Sequence, residues 1–168
     1  MGATRGKDFK LYYGKTIPPA AYPPLNTDLV ELLDCRDVTR NNEKALADAS
    51  IRGSKYRMQV GTLNEFSLDF QMVYDNADPG FKFLQDAYDN NSSIYILDVD
   101  GDVLTTDTGA TALLTGLQLM GQVTKFSVAE ALEDVGLIDC TIVPAYDSVN
   151  LPGRVTSQQP NGAITPIP

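Results

Sequence analysis

Carboxylates are the side chains best placed to do chemistry here: 22 Asp and Glu stand against 13 Lys and Arg, and histidine is absent. Without histidine there is no Ser-His or Cys-His nucleophile and no His-ligated metal. Glu65, Asp69 and Asp139 fall on stretches patterned as strands, where two carboxylates can act as acid and base on a glycosidic bond. Among so many acids that placement says little. The run Asp98-Val-Asp-Gly-Asp-Val offers oxygen ligands for calcium. An EF-hand loop begun at Asp98 would need glycine and glutamate where Val103 and Gly109 stand. Asp100-Gly101 between apolar runs reads better as a hairpin turn. Cys35 and Cys140 lie among apolar neighbours and read as buried thiols, with no support for a bridge between them. No Gly-rich phosphate cradle, cysteine cluster or G-x-S-x-G elbow occurs. Asn90 and Asn91 match glycosylation spacing, but no secretion signal accompanies them. The expectation is therefore no enzyme, no cofactor and no metal.

Charge says more than motifs. The chain has 168 residues and a net charge of −9, a one-domain length with some left for arms. That charge argues against adhesive binding to nucleic acid or anionic lipid. Nothing approaches the roughly 18 consecutive apolar residues of a membrane span. Residues 1–60 carry ten Lys and Arg against seven acids, whereas residues 61–147 carry fifteen acids against Lys82 and Lys125 alone. Such a dipolar subunit favours head-to-tail association, into rings or filaments.

The elements that must position these charges are mostly strands. In Glu65–Tyr74, Phe66, Leu68, Phe70, Met72 and Tyr74 alternate with polar residues, the mark of a half-buried strand. Tyr56, Met58 and Val60 alternate likewise upstream, with Gly61-Thr62 as the expected reversal between the two. Phe9, Leu11 and Tyr13 form a shorter copy. Ile94–Val99 is apolar on both faces until Asp98 and reads as a more central strand. Leu117–Val128 changes phase at Met120-Gly121, which suggests a bulge there, and Leu137–Tyr146 is the last strand. A helix is expected over 79–89: Asp78 is the N-cap, Pro79 opens the first turn, and Phe81, Leu84 and Tyr88 form its stripe. Ala129–Gly136 is one helical turn or a wide loop, and Arg36–Lys55 a long loop or an extended hairpin. The expected organisation is an N-terminal strand and Pro-rich arm (1–26), a core (27–146) with an inserted loop (100–116), and an arm or disordered tail (147–168).

Five stretches carry a family likeness: Lys7–Lys15 (KDFKLYYGK); Asp34–Arg40 (DCRDVTR) with Glu43-Lys44 and Ala47-Asp48; Glu65–Tyr74 running into Asp75–Tyr88 (DNADPGFKFLQDAY); Phe126–Glu133 (FSVAEALE); and Asp139–Tyr146 (DCTIVPAY). In this order they resemble the major tail tube proteins of long-tailed bacteriophages, over roughly Lys7–Tyr146. The most telling part is strand, Tyr74-Asp75, Asp78-Pro79-Gly80-Phe81, amphipathic helix, strand. The resemblance implies a mainly β (α+β) fold, a β-sandwich or barrel with one flanking amphipathic helix and extended N- and C-terminal arms. It implies hexameric rings stacked head to tail into a tube that holds the tape measure protein and later conducts DNA into the host. The tube would meet terminator and initiator proteins (tail tip or baseplate), touch DNA transiently and without specificity, involve no membrane, and be built in the host bacterial cytoplasm as part of the virion tail. In that picture Arg36, Arg40, Lys44, Arg52, Lys55 and Arg57 are candidate contacts to the next ring, and Glu65, Asp69 and Gln71 candidate lumen-facing residues. The Asp100–Gly116 insertion and the proline-rich tail depart from the shortest family members. The alternatives are a carbohydrate- or receptor-binding β-sandwich on a virion or cell surface, and an enzyme with paired carboxylates. The tube of a contractile tail, a secretion apparatus or a gene-transfer particle would share the same physical task.

Overall fold

The structure is a computed structural model that describes residues 9–17, 28–53, 55–103, 113–129, 136–145, 153–158 and 164–166. Among these residues nine strands and one helix follow one another: β1 Lys10–Gly14, β2 Leu29–Glu31, β3 Cys35–Asp48, β4 Gln59–Val73, α1 Pro79–Asp89, β5 Ser93–Val99, β6 Leu113–Ala129, β7 Leu137–Pro144, β8 Gly153–Gln158 and β9 Ile164–Pro166. They make one antiparallel sheet in the order β2-β1-β5-β6-β7-β4-β3, with β8 paired to the first part of β6 and β9 to β8.

One face of this sheet encloses the larger core. Leu11 and Tyr13 of β1, Leu68, Phe70 and Met72 of β4, Ile94 and Ile96 of β5, Leu119 and Val123 of β6, and Ile138, Cys140 and Ile142 of β7 converge there. Phe81, Leu84 and Ala87 of α1 close it. The Asp78 carboxylate accepts a hydrogen bond from the Phe81 amide at 2.9 Å, the expected N-cap. Asn91 at φ 50 stops the helix in the left-handed region. Phe81 and Tyr88 meet the ring of Phe126 at 5.6 and 6.0 Å, so the aromatic stripe packs on β6 as the periodicity suggests.

The alternate residues of β5, Tyr95, Leu97 and Val99, belong to a second cluster on the other face, with Tyr12, Leu29, Val103, Leu114 and Met120. This is why Ile94–Leu97 is apolar on both faces, with the charge of Asp98 entering only after it. Tyr12 anchors the start of the inserted segment. Its hydroxyl donates to Asp102 at 3.0 Å and accepts the Val103 amide at 3.3 Å, and burial raises its pKa.

Several expectations need correction. Gly61-Thr62 is no reversal: β4 runs straight through it, and the chain turns between Asp48 and Gln59. Arg36–Lys55 is the first strand of that extended hairpin together with most of its turn. The phase change in β6 lies at Thr124, where the register shifts between Val123 and Lys125. The extra residue there returns Phe126 to the face of Leu119 and Val123. Asp100-Gly101 does not form a two-residue hairpin, because β6 resumes only at Leu113; the last four residues of the supposed insertion are strand. The C-terminal stretch contributes β8 and β9. Residues 130–135 and 146–152 lie outside the described set, and with them the question of a helical turn after Ala129.

Close packing of β5 on β6 makes one glycine indispensable. A Cβ on Gly116 would sit 2.3 Å from the Asp98 carbonyl oxygen and 2.4 Å from Val99 Cγ1, and a backbone atom cannot swing aside. Gly116→Ala is expected to cost about 2–3 kcal/mol in urea denaturation, at the upper end of overpacking penalties. Wild-type stability in that variant would contradict this pairing.

Candidate assembly surface

β3 and β4 pair from Cys35↔Met72 to Asp48↔Gln59, but β7 covers β4 only from Leu68 onward. The outer half of the hairpin therefore leaves the body as a two-stranded ribbon. Its turn is held by the Ala49 amide on the Met58 carbonyl at 2.9 Å and the Ser50 amide on Asp48 Oδ1 at 2.9 Å. Among the described residues no further strand pairs with the outer edge of β3.

The ribbon is apolar where nothing covers it. Tyr56 is 81% exposed, Leu63 73% and Ile51 67%, with Leu46, Met58 and Val60 also open. Register puts Val60 beside Ala47 on one face and Leu46 beside Gly61 on the other, so both faces carry the problem. An isolated two-stranded hairpin is marginal in water, and an open apolar edge invites another chain.

The basic candidates divide. Lys44 lies on the ribbon opposite Asn64, and Arg52, Lys55 and Arg57 cluster at its turn, where Arg57 is 3.5 Å from Asp48. Arg36 stands at the root, opposite Gln71. Arg40 is committed within its own chain: its Nε donates to the Asp98 carboxylate, which is 3% exposed, and its guanidinium stacks on Phe9 at 5.3 Å. The pair bridges a cleft lined by Phe9, Leu11, Cys35 and Val38, where β3 folds back toward β1 and β5. This contact links residues 58 apart in sequence, and no local pattern announces it.

β4 runs from the ribbon to the opposite end of the body. There the Val73 amide meets the Asp34 carbonyl, and Tyr74 meets Gly136. That end shows exposed Leu33 and Tyr74 beside exposed Asp34 and Asp75. One end of the subunit is thus apolar and basic, the other apolar and acidic.

The outward face of β3, β4, β7 and β6 is polar. Glu65 faces Glu43, Asp69 lies between Thr39 and Thr141, and Gln71 faces Asp139, which also faces Ser127. Sequence alternation brings Glu65, Asp69 and Gln71 to one face, but it misses the partners supplied by β7 and β6. Asp69 accepts from Asn41, Thr141 and Ser67, the last at 3.3 Å. Asp139 accepts from Gln71 Nε2 at 2.9 Å and Lys125 Nζ at 3.4 Å. The polar members of the alternation in LIDCTIVP, Asp139 and Thr141, are the available signal for this surface.

Both thiols are free. Burial pushes Cys35 and Cys140 up to about 12, with a smaller contribution from nearby negative charge. The stability gained by keeping them protonated is therefore complete below the roughly 8.5 of a free thiol and is lost as pH climbs toward about 12.

No family model and no curated protein matches this sequence. Solved structures do. A chain of the SPP1 tail tube superposes with a TM-score of 0.66 at 14% identity, covering 96% of this chain and 81% of that one. A chain from the tail of an empty gene transfer agent particle, determined with C6 symmetry, gives 0.61 at 12% identity over 99% of this chain and all of that one. A chain from the native gene transfer agent virion gives 0.60 at 13% identity, again over 99% and 100%.

Two outcomes follow from the buried groups. Arg40→Met, which strands the Asp98 carboxylate, is expected to cost about 2–3 kcal/mol, less than for a fully buried pair because the arginine side chain is 36% exposed. Adding Asp98→Leu should recover part of that loss in a denaturant double-mutant cycle; simple additivity would contradict the pairing. Cys140 should resist thiol reagents at pH 8 until the chain unfolds, and rapid labelling of the native protein would contradict its burial. The mainly β architecture, one antiparallel sheet with one flanking helix among the described residues, is the fold these tail and tail-tube chains share with this protein.

Proposed function

We propose that this chain is a structural tail-tube subunit rather than an enzyme: copies close into hexameric rings that stack head to tail into a hollow conduit for DNA. The observation that carries the reading is the β3–β4 ribbon, apolar on both faces, open along both edges and uncovered by any described part of its own chain. Such a surface invites another chain, and a second copy carries the apolar and basic groups to cover it. The fold shared with chains of the SPP1 tail tube and the gene transfer agent tail supports the same conclusion, as does the C6 symmetry of the latter particle.

In this reading the ribbon turn, with Arg52, Lys55 and Arg57 around Ile51 and Tyr56, seats on the opposite end of a subunit in the next ring, where Asp34 and Asp75 flank Leu33 and Tyr74. Lys44 and Arg36 extend the contact toward the root, and Arg40 holds the ribbon to its own body. Glu65, Asp69 and Gln71 face the bore, whose negative wall repels phosphate and lets DNA slide. The tube belongs to a virion tail built in the host cytoplasm, enclosing a tape measure protein and capped by terminator and initiator proteins.

Electron microscopy of the concentrated protein is the direct test. Wild type should form rings and hollow tubes, and the triple variant Arg52→Glu, Lys55→Glu, Arg57→Glu should fold normally yet stay unassembled. Mixing it with an Asp34→Lys, Asp75→Lys variant, or combining both sets, should restore tubes. A wild-type chain that stays monomeric at every concentration and salt, or a triple variant that assembles with undiminished yield, would contradict the reading.

A further inference from the structure

Residues 61–147 contain only two cations, Lys82 and Lys125. Lys82 lies on the exposed side of α1. Lys125 lies on the polar face of β6, two strands from Asp69, and its ammonium reaches Asp139 Oδ2 on β7 at 3.4 Å. The other carboxylate oxygen of Asp139 accepts from Gln71 on β4 at 2.9 Å, so the acceptor is held from both sides. Both partners of the ion pair are about half exposed, and pairs of that kind add little to stability. Three neutral donors of the same face are engaged in the same way: Asn41, Ser67 and Thr141 all point at Asp69.

We infer that Asp139 masks Lys125 against phosphate, and that Asp69 engages Asn41, Ser67 and Thr141 beside it, so that this part of the wall gives passing DNA no lysine to hold. The inference rests on the reading that this face lines the bore. A lysine repeated in every subunit of every ring would otherwise present a ladder of cations, and phosphate contacts multiply along a polyanion. Repulsion by net charge does not remove that difficulty, because one unpaired ammonium binds phosphate locally whatever the average sign of the wall. A carboxylate fixed across the strand pair does remove it.

The test uses assembled tubes sedimented with short duplex DNA at low salt, and with closed circular DNA as a probe that cannot thread a bore. Wild-type tubes should leave the duplex in solution. Asp139→Asn tubes, and Asp139→Ala tubes read alongside them, should retain about tenfold more duplex, released by added salt. Adding Lys125→Met to Asp139→Asn should return retention to the wild-type level. Ser67→Arg tubes that also carry Asp69→Asn place an unpaired cation on the same face and should retain duplex independently of the mask at Lys125. Retention by this double variant without any by the Asp139 variants overturns the masking role and leaves the channel reading standing. No retention by the double variant, or equal retention of closed circular DNA, puts the face outside the bore and overturns both.

Discussion

A hairpin longer than the sheet that holds it is the constraint from which the rest of this molecule follows. β4 is bonded on both sides only where β7 reaches it, from Leu68 to Val73; beyond that, β3 and β4 have only each other. Fifteen residues of β4 and fourteen of β3 therefore divide into a part anchored in a core and a part that projects. The anchored part is secured by Leu68, Phe70 and Met72 in the core and by Arg40 on the buried Asp98. The projecting part keeps apolar side chains in water. Hydrogen bonding along both edges of the ribbon and apolar contact on its two faces are unmet among the described residues.

The body behind the ribbon is built to resist this leverage. β5 is buried on both faces and sits near the middle of the sheet, with one cluster under α1 and another on the opposite side with Tyr12, Val103 and Leu114. β6 serves two neighbours in turn, β8 through its first residues and β7 through its last, with the bulge at Thr124 between β7 and the core. Charge then follows geometry. Lys44, Arg52, Lys55 and Arg57 lie on the ribbon and its turn, and the acidic middle of the chain supplies both the polar face and part of the far end. An assembly that joins opposite ends needs that polarity, and a wall that must not hold DNA needs its donors occupied.

Much of this was legible in residue order. Alternation in Glu65–Tyr74 reported a half-buried strand because β7 and α1 do cover one side of it. The Asp78-Pro79 start of the helix and the aromatic stripe of Phe81, Leu84 and Tyr88 were equally plain, since capping and helical period are local. The same alternation in Tyr56, Met58 and Val60 suggested burial and met solvent, because period reports which side chains share a face, not whether anything covers it. Gly61 looked like a turn, since glycine marks reversals and irregular strands alike; here the register shifts between Lys44 and Leu46 beside it. Arg40 on Asp98, and Lys125 with Gln71 on Asp139, join distant strands, and only the folded sheet brings them together.

Hydrogen–deuterium exchange across the β3–β4 ribbon, measured on the unassembled subunit and on the assembled particle, tests the central claim most directly. The outer-edge amides of β3 and those of the turn at residues 49–58 should exchange rapidly in the subunit and become strongly protected on assembly, together with the segment around Leu33 and Tyr74. Assembled particles in which the ribbon exchanges as fast as in the lone subunit would contradict it.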